Sequence, residues 1–116
     1  MLSRILRLIG GRAVRIQGTD RLAEGQSRRV EIGDPLAGGT EIVLCRLDGK
    51  LRAVDRRCPH EGGRIGDGPL VEGRYLRCPL HEYKFDPASG RAVGAACRNA
   101  RTYRVRERGS DCDVWV

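Results

Sequence analysis

Apolar positions in this chain alternate with polar ones far more often than they follow a helical spacing. Ile42-Val-Leu-Cys-Arg-Leu47 is a nearly continuous apolar run, and Leu51, Ala53 and Val54 form a second one just beyond Asp48-Gly49. Asp-Gly between two such runs predicts a tight hairpin, because these residue types accept the left-handed backbone its turn requires. Arg74–Cys78 follows Glu72-Gly73 in the same style, and Tyr83 and Phe85 lead into a Pro87-Ala-Ser-Gly90 turn. Further on, Tyr103 and Val105 alternate with Arg104 and Arg106; a Gly109-Ser110-Asp111 turn then precedes Cys112, Val114 and Val116, which alternate with Asp113 and Trp115. Turn signals recur roughly every 8 to 12 residues, which predicts short strands. The pattern predicts an all-β chain, a small antiparallel sandwich or barrel. Helical spacing is confined to Leu2, Ile5, Leu6 and Ile9, a short amphipathic segment that packs on its own domain, frays, or docks on a partner or membrane surface.

The length, 116 residues, suits one domain with a modest core and leaves no room for a separate catalytic domain. Residues 1–15 read as an N-terminal extension and 16–116 as the domain. Lys and Arg total 22 against 15 acids, for a formal charge of +7, and all but Lys50 and Lys84 of the basic residues are arginine. A basic surface favours acidic partners. Arg98, Arg101, Arg104, Arg106 and Arg108 read first as a solvated strand face and second as a steering patch. Five cysteines is an odd count, which a secreted disulfide framework would not normally use. Surplus thiols suit a reducing compartment, so a cytoplasmic location is expected. No run of about 18 apolar residues occurs to cross a membrane, and Arg4 and Arg7 break the first apolar stretch in a way that does not fit a secretory signal.

The chemistry is concentrated in a repeated motif. The two histidines of the chain both sit in it: Cys58-Pro59-His60, then Cys78-Pro79-Leu80-His81, with 17 residues between His60 and Cys78. Two sulfur and two nitrogen donors at this spacing hold either zinc or an iron–sulfur cluster. Zinc usually draws its four ligands from C-x-x-C and H-x-x-x-H knuckles. Here each loop supplies one sulfur and one nitrogen, which suits a binuclear cluster with both thiolates on one iron and both imidazoles on the other. Gly62, Gly63, Gly66 and Gly68 crowd the first loop, where backbone must either turn tightly or approach the metal group closely.

Cys58-Pro-His60-Glu-Gly62 and Cys78-Pro-Leu-His81-Glu-Tyr-Lys-Phe85-Asp86 resemble the ligand loops of the Rieske [2Fe-2S] family, and the similarity runs from about Val30 to Val116. The resemblance implies an antiparallel β fold with a small cluster-binding lobe formed by two loops. It implies one [2Fe-2S] cluster, with Cys58 and Cys78 on the buried iron and His60 and His81 on the outer one. Phe85 then corresponds to an aromatic packed beneath the lobe, or to plain core. High-potential members carry a disulfide between the loops and a serine beyond the second histidine. Gly63 and Leu80 stand at the bridge positions and Tyr83 at the serine position, so a soluble, low-potential type is expected. Glu82 replaces the usual glycine after the second histidine, and its charge is expected to lower the potential further. Gly94-Ala-Ala-Cys97 lacks the proline of the family's covering loop, which places Cys97 near the cluster or in the core.

The resemblance implies a one-electron carrier rather than an enzyme. No histidines remain for a mononuclear iron site of the oxygenase kind, and no G-x-G-x-x-G nucleotide fingerprint occurs. The expected partners are a reductase and a terminal oxygenase or similar acceptor, without nucleic acid. A small subunit of a larger reductase, of the nitrite-reductase type, is the alternative. A zinc-stabilised basic module for nucleic acid is a third reading, weakened by the shortage of aromatics for base stacking.

Overall fold

The computed structural model describes residues 13–33, 36, 38–59, 63–80, 82–94 and 96–116. The amphipathic segment 2–9 and the ligand candidates His60 and His81 lie outside the described residues. The described strands are β1 (Ala13–Ile16), β2 (Ser27–Ile32), β3 (Thr40–Leu47), β4 (Lys50–Asp55), β5 (Leu76–Cys78), β6 (Tyr83–Phe85), β7 (Ala92–Val93), β8 (Thr102–Arg108) and β9 (Asp111–Trp115). A 3-10 turn, Thr19–Arg21, follows β1. Every pairing among these strands is antiparallel. β1 contains Ala13–Arg15, residues that the sequence pattern assigned to the extension.

One sheet has the order β1-β9-β8-β4-β3-β2, and a smaller one has the order β5-β6-β7. β4 and β8 are paired only at Ala53↔Tyr103 and Val54↔Thr102. The large sheet therefore curls at this short seam, and its halves close over a core of Ile16, Ile32, Ile42, Leu44, Leu51, Ala53, Cys112 and Val114.

β3 contributes to two cores. Ile42, Val43, Leu44 and Cys45 are all fully buried. Side chains alternate across a strand, so Ile42 and Leu44 enter the curled-sheet core while Val43, Cys45 and Leu47 face a second core. That second core joins the back of β3 and β4 to Cys58, Ile65, Leu70, Leu76, Cys78, Phe85 and Ala100. Burial on both faces explains why residues 42–45 read as an unbroken apolar run rather than an alternating one.

The predicted hairpin is present. Asp48 and Gly49 have φ of 54° and 76°, the pair of left-handed residues that matches strand twist in a two-residue hairpin. Their amides donate to the two carboxylate oxygens of Glu24 at 2.8 Å each, which fixes the turn from outside. Glu72 and Gly73 repeat the geometry at φ of 55° and 70°. No helix among the described residues is long and apolar enough to cross a membrane.

Candidate metal centre

Two loops carry the candidate ligands, and the backbone ties them together. The first leaves β4 at Asp55. The Asp55 Oδ1 accepts the Arg57 backbone N–H at 2.8 Å, a local turn in which the side chain takes the place of a backbone acceptor. Its Oδ2 accepts the Tyr103 hydroxyl at 2.6 Å. Cys58 N–H then donates to Gly63 O at 2.8 Å, and Ile65 N–H to Arg56 O at 2.7 Å, closing the loop on itself. The second loop begins at Cys78, the last residue of β5, which pairs with Tyr83 of β6. Gly66 N–H donates to Arg77 O at 2.9 Å and joins the loops.

Cys58 and Cys78 are brought into one apolar core, only 4% and 1% exposed, together with Phe85, Ile65 and Leu76. Phe85 is fully buried and belongs to the same core as the two cysteines. The first loop passes directly over the second sulfur. A Cβ placed on Gly63 would lie 2.6 Å from Cys78 Sγ, so this position admits no side chain. Two soft sulfur donors in an apolar shell, with a bare backbone against one of them, fit a thiolate-held metal group.

Gly63 and Leu80 face each other. The same Cβ would lie 3.2 Å from Leu80 Cβ, nearer than the roughly 3.5–4.5 Å of a disulfide-bridged pair. The positions assigned to a bridge are adjacent in space, and the side chains present exclude one. Leu80 is instead half-exposed at 50% over the first loop.

Glu82 has φ of 56°, the conformation that glycine adopts without cost. Its carboxylate accepts from Arg77 Nη1 at 2.7 Å. The negative charge expected beside His81 is thus paired with a positive one on the adjacent strand.

The remaining cysteines divide cleanly. Burial pushes the Cys45 thiol up to about 12 and also raises that of Cys112, so both are inert core groups. Cys97 packs, partly buried, on the core that holds Cys58 and Cys78, and its Sγ donates to Arg98 O.

Arg104, Arg106 and Arg108 share the exposed face of β8, as a solvated strand face would, whereas Arg98 and Arg101 precede the strand. Arg104 stacks over Trp115, with its guanidinium 4.8 Å from the ring centre, and Arg108 pairs with Asp113 at 2.7 Å. Arg101 stacks over Tyr103 at 5.1 Å. Asp113, which alternates with the apolar residues of β9, is buried, and Arg15 and Arg108 both pair with it. Sequence reasoning also missed Asp55 and Tyr103. The available signal was an aspartate closing an apolar strand three residues before the candidate ligand Cys58.

A family model for the Rieske [2Fe-2S] domain matches residues 13–105. The chain belongs to the Rieske family. Membership implies a [2Fe-2S] cluster. This Rieske domain is 40% identical over 72 residues to the ferredoxin component of the naphthalene 1,2-dioxygenase system of Pseudomonas aeruginosa, covering 61% of this chain and 68% of that protein. The Pseudomonas putida counterpart is 41% identical over 69 residues, or 65% of its length. A Ralstonia ferredoxin component of naphthalene 1,2-dioxygenase/salicylate 5-hydroxylase systems is 34% identical over 88 residues, covering 75% of this chain and 79% of that one. Among solved structures, the ferredoxin of carbazole 1,9a-dioxygenase from Nocardioides aromaticivorans matches at TM-score 0.73 and 24% identity, over 89% of this chain and 96% of that one. A nitrite reductase small subunit from Mycobacterium tuberculosis matches at TM-score 0.63 and 23% identity, over 88% and 92%. These structural likenesses establish the Rieske fold.

Proposed function

We propose that this Rieske protein is the ferredoxin component of an oxygenase system, taking single electrons from a reductase and delivering them to a terminal oxygenase. Cys58 and Cys78 hold the inner iron, and His60 and His81 the outer one. The observation that carries the reading is the burial of Cys58 and Cys78 in one core beneath two loops joined at Gly63 and Gly66. Relatives named as ferredoxin components of dioxygenase systems support the assignment of partners.

When bound, the cluster supplies a one-electron couple with no terminal position left for substrate. The protein's part is to hold and insulate. Phe85, Ile65 and Leu76 exclude water from the side of the two cysteines, which keeps local dielectric low. Gly63 leaves room above Cys78 Sγ. The outer surface of the loops, at half-buried Pro59 and half-exposed Leu80, is where a partner approaches most closely. A cytoplasmic setting accords with Cys45 and Cys112 as buried free thiols.

The test is direct. Anaerobically purified protein should be red-brown, contain iron and sulfide at about two each per chain, and give a rhombic signal on reduction. Cys58→Ser and His81→Ala should each abolish the signal. An NADH-linked ferredoxin reductase should reduce the protein, and an aromatic-ring dioxygenase should reoxidise it. Stoichiometric zinc without sulfide would overturn the reading.

A further inference from the structure

We propose that a basic hollow beside the Cys58 loop is a docking site for carboxylate side chains of an acidic redox partner. The proposal rests on the electron-carrier reading and specifies the partner's surface chemistry. Arg57, Arg98 and Arg101 line the hollow, together with Cys58, Pro59 and Asn99. Arg57 comes from the first ligand loop, and Arg98 and Arg101 from the segment entering β8, so the fold brings three guanidiniums together from distant parts of the sequence.

The acid in the lining is Asp55, and its charge is already committed. It is 3% exposed. Tyr103 occupies Oδ2, and the backbone N–H and Nε of Arg57 occupy Oδ1. Arg98 and Arg101 are exposed and form no ion pair among the described residues. Elsewhere on the same end of the molecule, cations are matched: Arg56 and Arg64 share Glu41, and Arg77 holds Glu82. Among the described residues, the hollow therefore carries positive charge left over beside the two loops.

Its chemistry suits carboxylates. A guanidinium presents a planar fork of donors that matches a carboxylate in a two-point contact. Arg57 gives Asp55 one side-chain donor, and its other side-chain donors have no hydrogen-bond partner among the described residues. Arg101 is held over the Tyr103 ring, which orders its stem while the charge stays available. The surroundings favour a protein over a small anion. Half-exposed Leu80 lies against Gly63, whose carbonyl is bonded to Cys58. An apolar tip with a charged flank is the arrangement of a protein interface, apolar at its centre and polar at its rim.

Holoprotein titrated with a dye-labelled oligoglutamate peptide tests this. At low ionic strength the wild type should bind, and Arg98→Gln/Arg101→Gln should weaken binding about 10-fold, with the difference vanishing at high salt. Arg104→Gln/Arg106→Gln removes the same net charge from β8 and should change affinity less than about 2-fold. Equal weakening by both pairs would mean that net charge alone acts, and would overturn the proposal. Displacement of the peptide by about 1 mM inorganic phosphate would reassign the hollow to free anions and would overturn it as well. The visible spectrum of each variant separates this from the carrier reading: a protein without iron sinks that reading, while the peptide still decides the hollow.

Discussion

The hydroxyl of Tyr103, on β8, donates to Oδ2 of Asp55, the last residue of β4, at 2.6 Å. Because Asp55 Oδ1 accepts the backbone N–H of Arg57, one buried carboxylate connects β8 to the chain leading into Cys58. The seam between β4 and β8 has only two paired positions, so this side-chain bond reinforces the weakest line of the large sheet.

Tyr103→Phe should lower stability by about 1–2 kcal/mol, since a buried acceptor loses a partner. Urea unfolding checks it. Burial, with help from the bond to Asp55, pushes the Tyr103 hydroxyl up to about 12 from 10.0. A raised value favours the neutral form in the fold. The contribution is complete below pH 10 and is lost as pH climbs toward 12. The phenylalanine variant should lack that alkaline loss, and a tyrosinate absorbance step near 12 should vanish with it.

Gly63→Ala should impair cluster assembly while leaving strand content intact. Gly63 has no left-handed backbone requirement, so the damage comes from space alone, the added methyl lying 2.6 Å from Cys78 Sγ. Iron and sulfide content should fall several-fold, with far-UV circular dichroism unchanged. Full cluster content would show that the loops part easily.

Gly90→Ala should fail for two reasons at once. Its φ is 78°, and the added methyl would run into the carbonyl oxygen of Ala100 and lie 3.2 Å from Thr102 Cγ2. Ala100 N–H also donates to Gly90 O at 2.7 Å, so the two strands of backbone cannot separate without losing a bond. A loss of at least about 2 kcal/mol is expected in urea titration.

Arg77→Ala should lower the reduction potential, and Glu82→Gln should raise it by a comparable amount. The two charges face each other at 2.7 Å, so removing either exposes the other to the neighbouring ligand loop. Glu82→Gly should in addition be close to neutral in stability, because relief of the left-handed backbone offsets an exposed ion pair worth under about 1 kcal/mol. Voltammetry and thermal unfolding measure the two effects separately.

Acid should weaken the β1–β9–β8 edge through Asp113. Hydrogen bonds and charge from Arg15, then Arg108, hold its carboxyl below the usual value of 3.8. A lowered value contributes stability above 3.8 that is lost as pH falls through the folded-state value. Asp113→Asn should be less stable at neutral pH and should show a shallower decline in the acid range.

Local pattern determined much of this protein. Alternation at Tyr103–Arg106 and the Asp48-Gly49 turn specify strands and a hairpin, because side-chain direction and allowed backbone angles are properties of the residues themselves. The paired cysteine and histidine motifs specify the kind of metal group for the same reason, as donor chemistry travels with the residue. β1 and β2 were not legible. They form the edges of the sheet, and the Ser-Arg-Arg of β2 carries little apolar signal.

What lies across the sheet belongs to tertiary structure. The run from Ile42 to Cys45 says that both faces are dry, but only the folded chain assigns one face to the curled sheet and the other to the cysteine core. Asp113 alternates with apolar residues along β9, and only the fold brings Arg15, almost a hundred positions away, to it as a counter-charge. Arg98 and Arg101 acquired Arg57 as a neighbour, while Arg104 and Arg108 were drawn off by Trp115 and Asp113. A sequence records which groups need burial or a partner; antiparallel pairing between remote strands decides which partner each one meets.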